Sequence, residues 1–405
     1  MLKSLALILV CGLTLSGIMQ KLKLPSLIGM IITGVILGPH LFNLISPSIL
    51  IISAELREIS LIVIFTRVGL ALDIKDLKKV GRPALLMCFI PATFELVAIT
   101  ILAPMFFDMS YLEAAIMGAV LAAVSPAVVV PQMLKLMESG YGKSKGIPQL
   151  IMAGASVDDI YVIVLFTAFL GMYDNKDFDI ACLITVPLSV ISGLILGIAI
   201  GLATVYLFKK IHIRNTVKIL ILFSAAFLFV SLEDMLKSYI PLSGLLAIIT
   251  LGATIMKKYE LLAAQLSRKF SKIWVCAELL LFVLVGAAVD ISYIGKVGFN
   301  AVMLILFALV IRIAGVFVCL IKTKLNNREK VFCAVAYLPK ATVQAAIGGI
   351  PLSLGVAAGN TILTIAVLAI MITAPVGAVG MESTYNNLLC KDSPTRKKGG
   401  TTQAS

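Results

Sequence analysis

The strongest constraint on this chain is a series of long apolar runs that recurs from one end to the other. With 60% hydrophobic and 14% charged residues, the sequence is too apolar for a soluble domain, in which about a quarter of residues carry charge. Thirteen runs are long enough to cross about 30 Å of hydrocarbon. They predict an all-α polytopic membrane protein with about 13 transmembrane helices. The runs cover residues 2–20, 24–42, 50–73, 83–106, 111–137, 147–172, 180–208, 216–233, 240–256, 272–291, 298–322, 330–353 and 361–380.

The basic residues indicate how these spans are oriented. Of the 34 Lys and Arg residues, 26 fall in loops on one side of the thirteen-span topology and five on the other. Because short cytoplasmic loops are enriched in Lys and Arg, this predicts an external N-terminus and a cytoplasmic C-terminus in the cell membrane. The same asymmetry accounts for the net charge of +13 without a nucleic-acid partner. The seven cysteines are scattered without a CxxC pair, and there are only two histidines, so no disulfide framework, zinc site or other cofactor is expected.

An internal repeat organises the chain. Residues 68–81 match residues 285–298 at eight of fourteen positions, at an offset of 217 that also aligns Glu95 with Arg312. Equivalent helices in the two copies are separated by seven spans. Because each span reverses the direction of the chain across the membrane, an odd number of spans gives the second copy the opposite orientation in the membrane. Inverted repeats are a transporter architecture whose site lies near the midplane at discontinuous helices. The expected parts are a first six-helix repeat at 1–179, a linker helix and cytoplasmic loop at 180–215, a second six-helix repeat at 216–380 and a short polar cytoplasmic tail at 381–405.

Two spans carry helix breakers at mid-membrane. The fifth contains Pro126 and Pro131, and the twelfth contains Pro339, Pro351 and the Gly348–Gly349 pair. Proline removes a backbone donor and obstructs the preceding turn, and irregular backbone at membrane depth must be buried in protein or line a cavity. We therefore expect crossed discontinuous helices, with ordinary proline-kinked packing helices as the alternative.

Two adjacent acids, Asp158 and Asp159, lie in the sixth span, where a single Asp costs about 2.5 to 3.5 kcal/mol. Neighbouring residues point about 100° apart on a helix, so we expect one acid in an ion cavity and the other beside a cation. Oxygens of Ser125, Thr342 and Gln344 on the broken spans are expected nearby. Such a site holds either a proton or a small cation, which is the minimal mechanism of an antiporter. We expect Na⁺ at Asp159 with Asp158.

Three basic residues lie within or at the edges of spans: Arg67, Arg312 and Lys340. Their candidate partners are the two aspartates and Glu95. Because Glu95 and Arg312 occupy equivalent repeat positions, a pseudo-twofold axis would join them as a structural ion pair, although each could instead reach an interface separately. Lys340 is then left as the charge partner of the aspartates. The sequence assigns no partner to Arg67.

These motifs resemble those of the cation–proton antiporter superfamily, and within it those of the NHA-type sodium/proton exchangers. The chain is expected to be a bacterial homologue of these exchangers. The resemblance implies a core domain with two crossed, broken helices, a separate dimerisation domain, a homodimer and elevator-like movement. By this likeness Asp159 is the essential ion-binding acid, Asp158 its partner, and Ser125 and Thr342 supporting ligands. Family members with Lys at the position of Arg312 are typically electrogenic, so Arg312 leaves the stoichiometry open. The motifs are 66–73, 125–131, 157–160 and 338–348.

The function expected from these features is exchange of Na⁺ or Li⁺ for H⁺, with no enzymatic activity. A K⁺/H⁺ antiporter stays open, because the ligand types do not separate K⁺ from Na⁺. Sodium-coupled uptake of an organic anion is a further alternative that would need a roomier polar cavity. An intramembrane aspartyl protease is excluded, because its two acids must share a proton from separate helices, and an HExxH metalloprotease motif is absent.

Overall fold

The computed structural model describes residues 1–22, 24–71, 81–174, 180–211, 213–236 and 242–391. Within these ranges the regular elements are helices, and the β-structure is one isolated bridge between Tyr141 and Lys391. The helices are α1 (Leu2–Lys21), α2 (Ser26–Leu37), α3 (Pro47–Ile51), α4 (Ser53–Ala71), α5 (Arg82–Met87), α6 (Ile90–Phe106), α7 (Tyr111–Ala122), α8 (Pro126–Ser139), α9 (Ile147–Asp174), α10 (Ile180–Lys210), α11 (Asn215–Leu236), α12 (Gly244–Lys258), α13 (Glu260–Ala287), α14 (Ile291–Cys319), α15 (Asn327–Ala336), α16 (Thr342–Ile347), α17 (Ile350–Ser353) and α18 (Gly359–Leu388).

The chain is a multi-pass, all-α membrane protein, as the sequence predicts. Among the described residues, nine helical segments are long and apolar enough to cross a membrane. The other four predicted runs also contain helices, but α2 has 12 residues, α12 has 15, α4 carries four charged side chains, and α15 to α17 are short pieces. The count of 13 crossings therefore stays a prediction.

The helices pack in two groups. In the first, which we call the scaffold, α13 packs on α1, α2 and α4, and α12 packs on α4, α10 and α11. In the second, the core, α6 packs on α7 and α14, α9 packs on α5, α7 and α8, and α18 packs on α15. Each group takes helices from both halves of the sequence. The domain boundaries at residues 179, 215 and 380 stay predictions, and α18 continues through Leu388 into the predicted tail.

Two close backbone contacts in the scaffold have the form that an inverted repeat requires. A methyl group on Gly69 of α4 would overlap the carbonyl of Ile249 in α12, and one on Gly286 of α13 would overlap the carbonyl of Ile31 in α2. A shift of 217 takes Gly69 to Gly286 and Ile31 to Ile248. Ile248 is the neighbour of Ile249, so a similar contact, one residue out of register, occurs twice with the halves exchanged, as the predicted repeat would give. Residues 72–80 of the repeated motif lie outside the described ranges.

The two broken spans meet at their breaks. The first interruption separates α7 from α8, where residues 123–125 are extended, and the second separates α15 from α16. The backbone N–H of Ser125 donates to the carbonyl of Pro339 at 2.8 Å, so each break satisfies a backbone group of the other. The interrupted helices therefore cross in the core.

The two prolines of the fifth span act differently from one another. Pro126 occupies the first turn of α8, where a missing N–H costs no intrahelical hydrogen bond. Pro131 lies inside α8, which continues past it to Ser139. The interruption is therefore set at residues 123–125, and Pro131 does not create a second one.

Candidate functional site

Asp158 lies where α9 passes the break between α7 and α8, and its side chain is fully buried. The backbone N–H of Val124 donates to Asp158 Oδ2 at 2.9 Å, and Arg312 Nη2 donates to the same oxygen at 3.1 Å. The other carboxylate oxygen, Oδ1, has no hydrogen-bond partner among the described residues. One oxygen is thus held by the protein, and the other is buried without a partner among the described residues.

Arg312 of α14 joins the two broken helices and is itself fully buried. Its Nη1 donates to Glu95 Oε2 at 2.7 Å and to the carbonyl of Ala122, while its Nε donates to the carbonyl of Tyr337 at 2.8 Å. Ala122 ends α7 and Tyr337 follows α15, so the guanidinium satisfies carbonyls that helix ends leave unpaired. A cation is also favoured at a helix C-terminus. The structure brings together Glu95 and Arg312, the two equivalent repeat positions.

Lys340 does not contact the aspartates, and the pairing expected from the sequence is wrong. Its Nζ lies 2.7 Å from Glu95 Oε1 and donates to the carbonyl of Leu121. Glu95 is therefore shared between Lys340 and Arg312. The long planar guanidinium can bridge two carboxylates, whereas the compact ammonium is occupied by one carboxylate and one helix-end carbonyl. Arg312 is the cation that meets Asp158.

Four buried oxygens at this crossing lack a hydrogen-bond partner within the described part of the chain: Ser125 Oγ, Thr342 Oγ1, Asp158 Oδ1 and Asp159 Oδ1. Buried polar atoms are normally paired, so each such atom calls for an explanation. Asp159 is 4% exposed and forms no ion pair with any described residue. Carboxylate and hydroxyl oxygens are the donors that hard cations take.

The sequence suggests Gln344 as a ligand of the cation, but in the structure its amide binds the backbone of the two breaks. Its Oε1 accepts from the backbone N–H of Ala341 at 2.8 Å, and its Nε2 donates to the carbonyl of Ala123 at 2.9 Å. Both ends of the amide are thus used by the backbones of the two breaks. Gln344 holds the crossing together and offers no unpaired oxygen to a cation.

The comparisons with known proteins show which family the chain belongs to. A family model described as "Sodium/hydrogen exchanger, transmembrane" matches residues 5–383. The chain belongs to the sodium/hydrogen exchanger family. It is 33% identical over 368 residues to sodium/hydrogen exchanger 9B2 of Mus musculus, covering 88% of this chain and 67% of that protein. It is also 33% identical over 347 residues to human sodium/hydrogen exchanger 9B1, covering 81% of this chain and 65% of that protein.

A solved structure also resembles this exchanger-family chain. It is the sodium proton antiporter MjNhaP1 from Methanocaldococcus jannaschii at pH 8, with a TM-score of 0.82 and 20% sequence identity. The likeness covers 95% of this chain and 97% of that one. At this identity the comparison establishes the fold alone, which is the fold of that sodium proton antiporter.

Sequence reasoning missed several polar groups of this exchanger-family chain. Glu278 lies inside a predicted span but was not among the candidate partners of the buried bases. It interacts electrostatically with Arg67 and by a hydrogen bond with Trp274. Thr373 Oγ1 accepts from the backbone N–H of Lys340 at 2.9 Å. A single Glu within an apolar run would have identified Glu278 from the sequence as a buried polar residue in need of a partner. A threonine within a long apolar helix carries no comparable signal.

Proposed function

We propose that this chain exchanges Na⁺ or Li⁺ for H⁺ across the membrane by alternating access, with the proton and the cation competing for Asp158 and Asp159. The observation that carries the proposal is the group of unpartnered, buried carboxylate and hydroxyl oxygens at the helix crossing. Membership of the sodium/hydrogen exchanger family supports the same reaction.

Competition follows from the charge of the site. Asp159 is buried without an ion pair among the described residues, and an uncompensated buried charge costs several kcal/mol. Either a proton or a monovalent cation removes that cost, whereas binding both would leave an excess positive charge. In this proposal Asp159 takes the cargo, and Asp158 Oδ1, Ser125 Oγ and Thr342 Oγ1 supply further oxygens to the cation. Cation loading on one side of the membrane then releases a proton.

The cellular setting is part of the proposal. The asymmetry of the loop charges supports an external N-terminus and a cytoplasmic C-terminus in the plasma membrane. The resemblance to the NHA-type exchangers supports a homodimer whose core moves against the scaffold. The limited contacts between the groups, α9 with α10 and α16 with α4 and α13, suit such a movement.

The test is proton movement in proteoliposomes that contain a pH-sensitive dye, driven separately by Na⁺, Li⁺ and K⁺. We expect Na⁺ and Li⁺ to drive proton movement, and Asp159→Asn to abolish it. The matched control is Asp108→Asn, the same chemical change at an exposed position between α6 and α7, which should behave as wild type. Proton movement that persists in Asp159→Asn would contradict the proposal. A response to K⁺ alone would replace Na⁺ with K⁺ as the cargo.

A further inference from the structure

Tyr337 is a buried residue that holds Arg312 in two ways. It is the first residue after α15 and is 1% exposed. Its backbone carbonyl accepts the Nε hydrogen of Arg312 at 2.8 Å, and its ring centroid lies 5.7 Å from Arg312 Cζ. This distance is within the range of a cation–π interaction. The guanidinium is therefore fixed by both the backbone and the ring of one residue.

The other end of the Tyr337 side chain reaches the helix that carries the aspartates. Its hydroxyl packs on Gly154 of α9, four residues and thus about one turn before Asp158. A methyl group on Gly154 would overlap the hydroxyl oxygen and lie 3.1 Å from the ring carbon Cζ. The hydroxyl has no hydrogen-bond partner within the described ranges. Tyr337 thus spans the distance between Arg312 and α9.

Arg312 approaches Asp158 in a geometry that leaves one carboxylate oxygen unoccupied. An unrestrained Arg and carboxylate commonly pair through two parallel hydrogen bonds. Here a single contact is present, from Nη2 to Oδ2, because Nη1 is held by Glu95 and Nε by the Tyr337 carbonyl. The Tyr337 ring gives the guanidinium a further contact that opposes its rotation towards Asp158 Oδ1.

We propose that Tyr337 is a positioning residue for cation binding: it holds Arg312 so that Asp158 Oδ1 stays available to the transported cation. This inference rests on the proposed function. Without the ring, Arg312 is held by its hydrogen bonds to Glu95 and to backbone carbonyls alone. It then turns more easily to engage both oxygens of Asp158, and the cation loses a ligand. The consequence is weaker cation binding, with a much smaller effect on the maximal rate.

The experiment measures initial exchange rates against Na⁺ concentration in proteoliposomes, together with melting temperatures in detergent. Tyr337→Leu should raise the apparent KM for Na⁺ by up to about thirtyfold, the full effect of losing a desolvated cation–π contact with Arg312, with a much smaller change in the maximal rate. Tyr337→Phe retains the ring and should recover most of that affinity. The matched control, Phe332→Leu, removes a fully buried aromatic ring from α15 and should lower the melting temperature without raising KM.

A second pair of variants covers the case in which Tyr337→Leu does not fold. Gly154→Ala should displace the tyrosine and raise KM, and the double variant Gly154→Ala/Tyr337→Phe should lower it again, because the overlapping hydroxyl is gone. An unchanged KM in a folded Tyr337→Leu, or in Gly154→Ala, would overturn the inference. So would an equal rise in Phe332→Leu. Failure of the proposed function is distinct, because the wild type itself would then show no cation-driven proton movement.

Discussion

Arg312 and Asp158 meet through one pair of atoms, Nη2 and Oδ2, which lie 3.1 Å apart in a place where both side chains are fully buried. The same guanidinium contacts Glu95, and Glu95 contacts Lys340. The result is a row of alternating charges, Asp158, Arg312, Glu95 and Lys340. The formal charges of these two acids and two bases cancel. Asp159 is then the acid of the site without an ion pair among the described residues.

This balance predicts an electroneutral exchange. If only Asp159 changes its occupant, one H⁺ leaves for each Na⁺ that binds, and the loaded site carries the same charge in both forms. An imposed membrane potential should therefore leave the initial rate of Na⁺-driven proton movement unchanged. The measurement is the rate in proteoliposomes with potentials of either sign. A rate that follows the potential would mean that a second charged group takes part in the transport cycle.

Removal of Arg312 should destabilise the protein more than removal of a surface cation. Arg312→Gln leaves Asp158 and part of the Glu95 charge without a partner, and breaking a buried pair costs about 3 to 5 kcal/mol. Lys135→Gln is the control, because its pair with Glu382 is about half exposed and contributes about 0 to 1 kcal/mol. Melting temperatures in one detergent compare the two. Equal shifts would show that the buried row is not a main stabilising feature.

The glycines at the close helix contacts should not tolerate alanine. Gly69→Ala and Gly286→Ala would each force apart two helices whose backbones touch, and overpacking of this kind costs about 1 to 3 kcal/mol. Gly17→Ala on α1 meets no atom within 4 Å and should be neutral or stabilising, since alanine is the better helix former. Thermal unfolding of the three variants tests this. A loss of stability in Gly17→Ala as large as in the other two would contradict the contact argument.

A pair at the end of the membrane region should depend on pH. Glu329 accepts hydrogen bonds from Lys145 Nζ at 2.8 and 2.9 Å, and these raise the pKa of Lys145 above its ordinary value of 10.5. Because the folded pKa is the higher one, the stabilisation is complete below the unfolded pKa and is lost as pH rises through the folded pKa.

Lys145→Gln should therefore be less stable than wild type at neutral and mildly alkaline pH, and the difference should shrink above the ordinary lysine pKa of 10.5. Melting temperatures across that range provide the measurement. Lys143→Gln, at the exposed neighbouring position, is the control and should show no such convergence. A constant difference between Lys145→Gln and wild type at all pH values would assign the effect to packing of the lysine stem.

Much of the fold followed from the sequence, because its causes are local. A long apolar run specifies a buried or lipid-facing helix, and a proline at mid-membrane limits where that helix can continue. The position of the first break depended on more than proline count: Pro126 is compatible with a first helical turn, and Pro131 is accommodated within α8. Chain spacing does not reveal which of two prolines a helix tolerates.

The partners in the site were harder to predict, because they depend on backbone groups that the breaks expose. Lys340 and Gln344 both bind carbonyls at the end of α7, and those carbonyls become available only when α7 stops at Ala122. Once Glu95 is assigned to Arg312, a count of charges leaves Lys340 to the aspartates. It does not include neutral acceptors, which decide where the ammonium lies.

The contact between Glu95 and Arg312 also bears on how the two halves of the internal repeat diverged. The two residues are 217 positions apart, the offset of the internal repeat, so each is the other's counterpart. In a protein assembled from two identical halves, this place would bring together two copies of the same residue, either two acids or two bases. A salt bridge here requires the halves to differ. At this position one half therefore cannot stand in for the other, because two copies of either residue would bring like charges together.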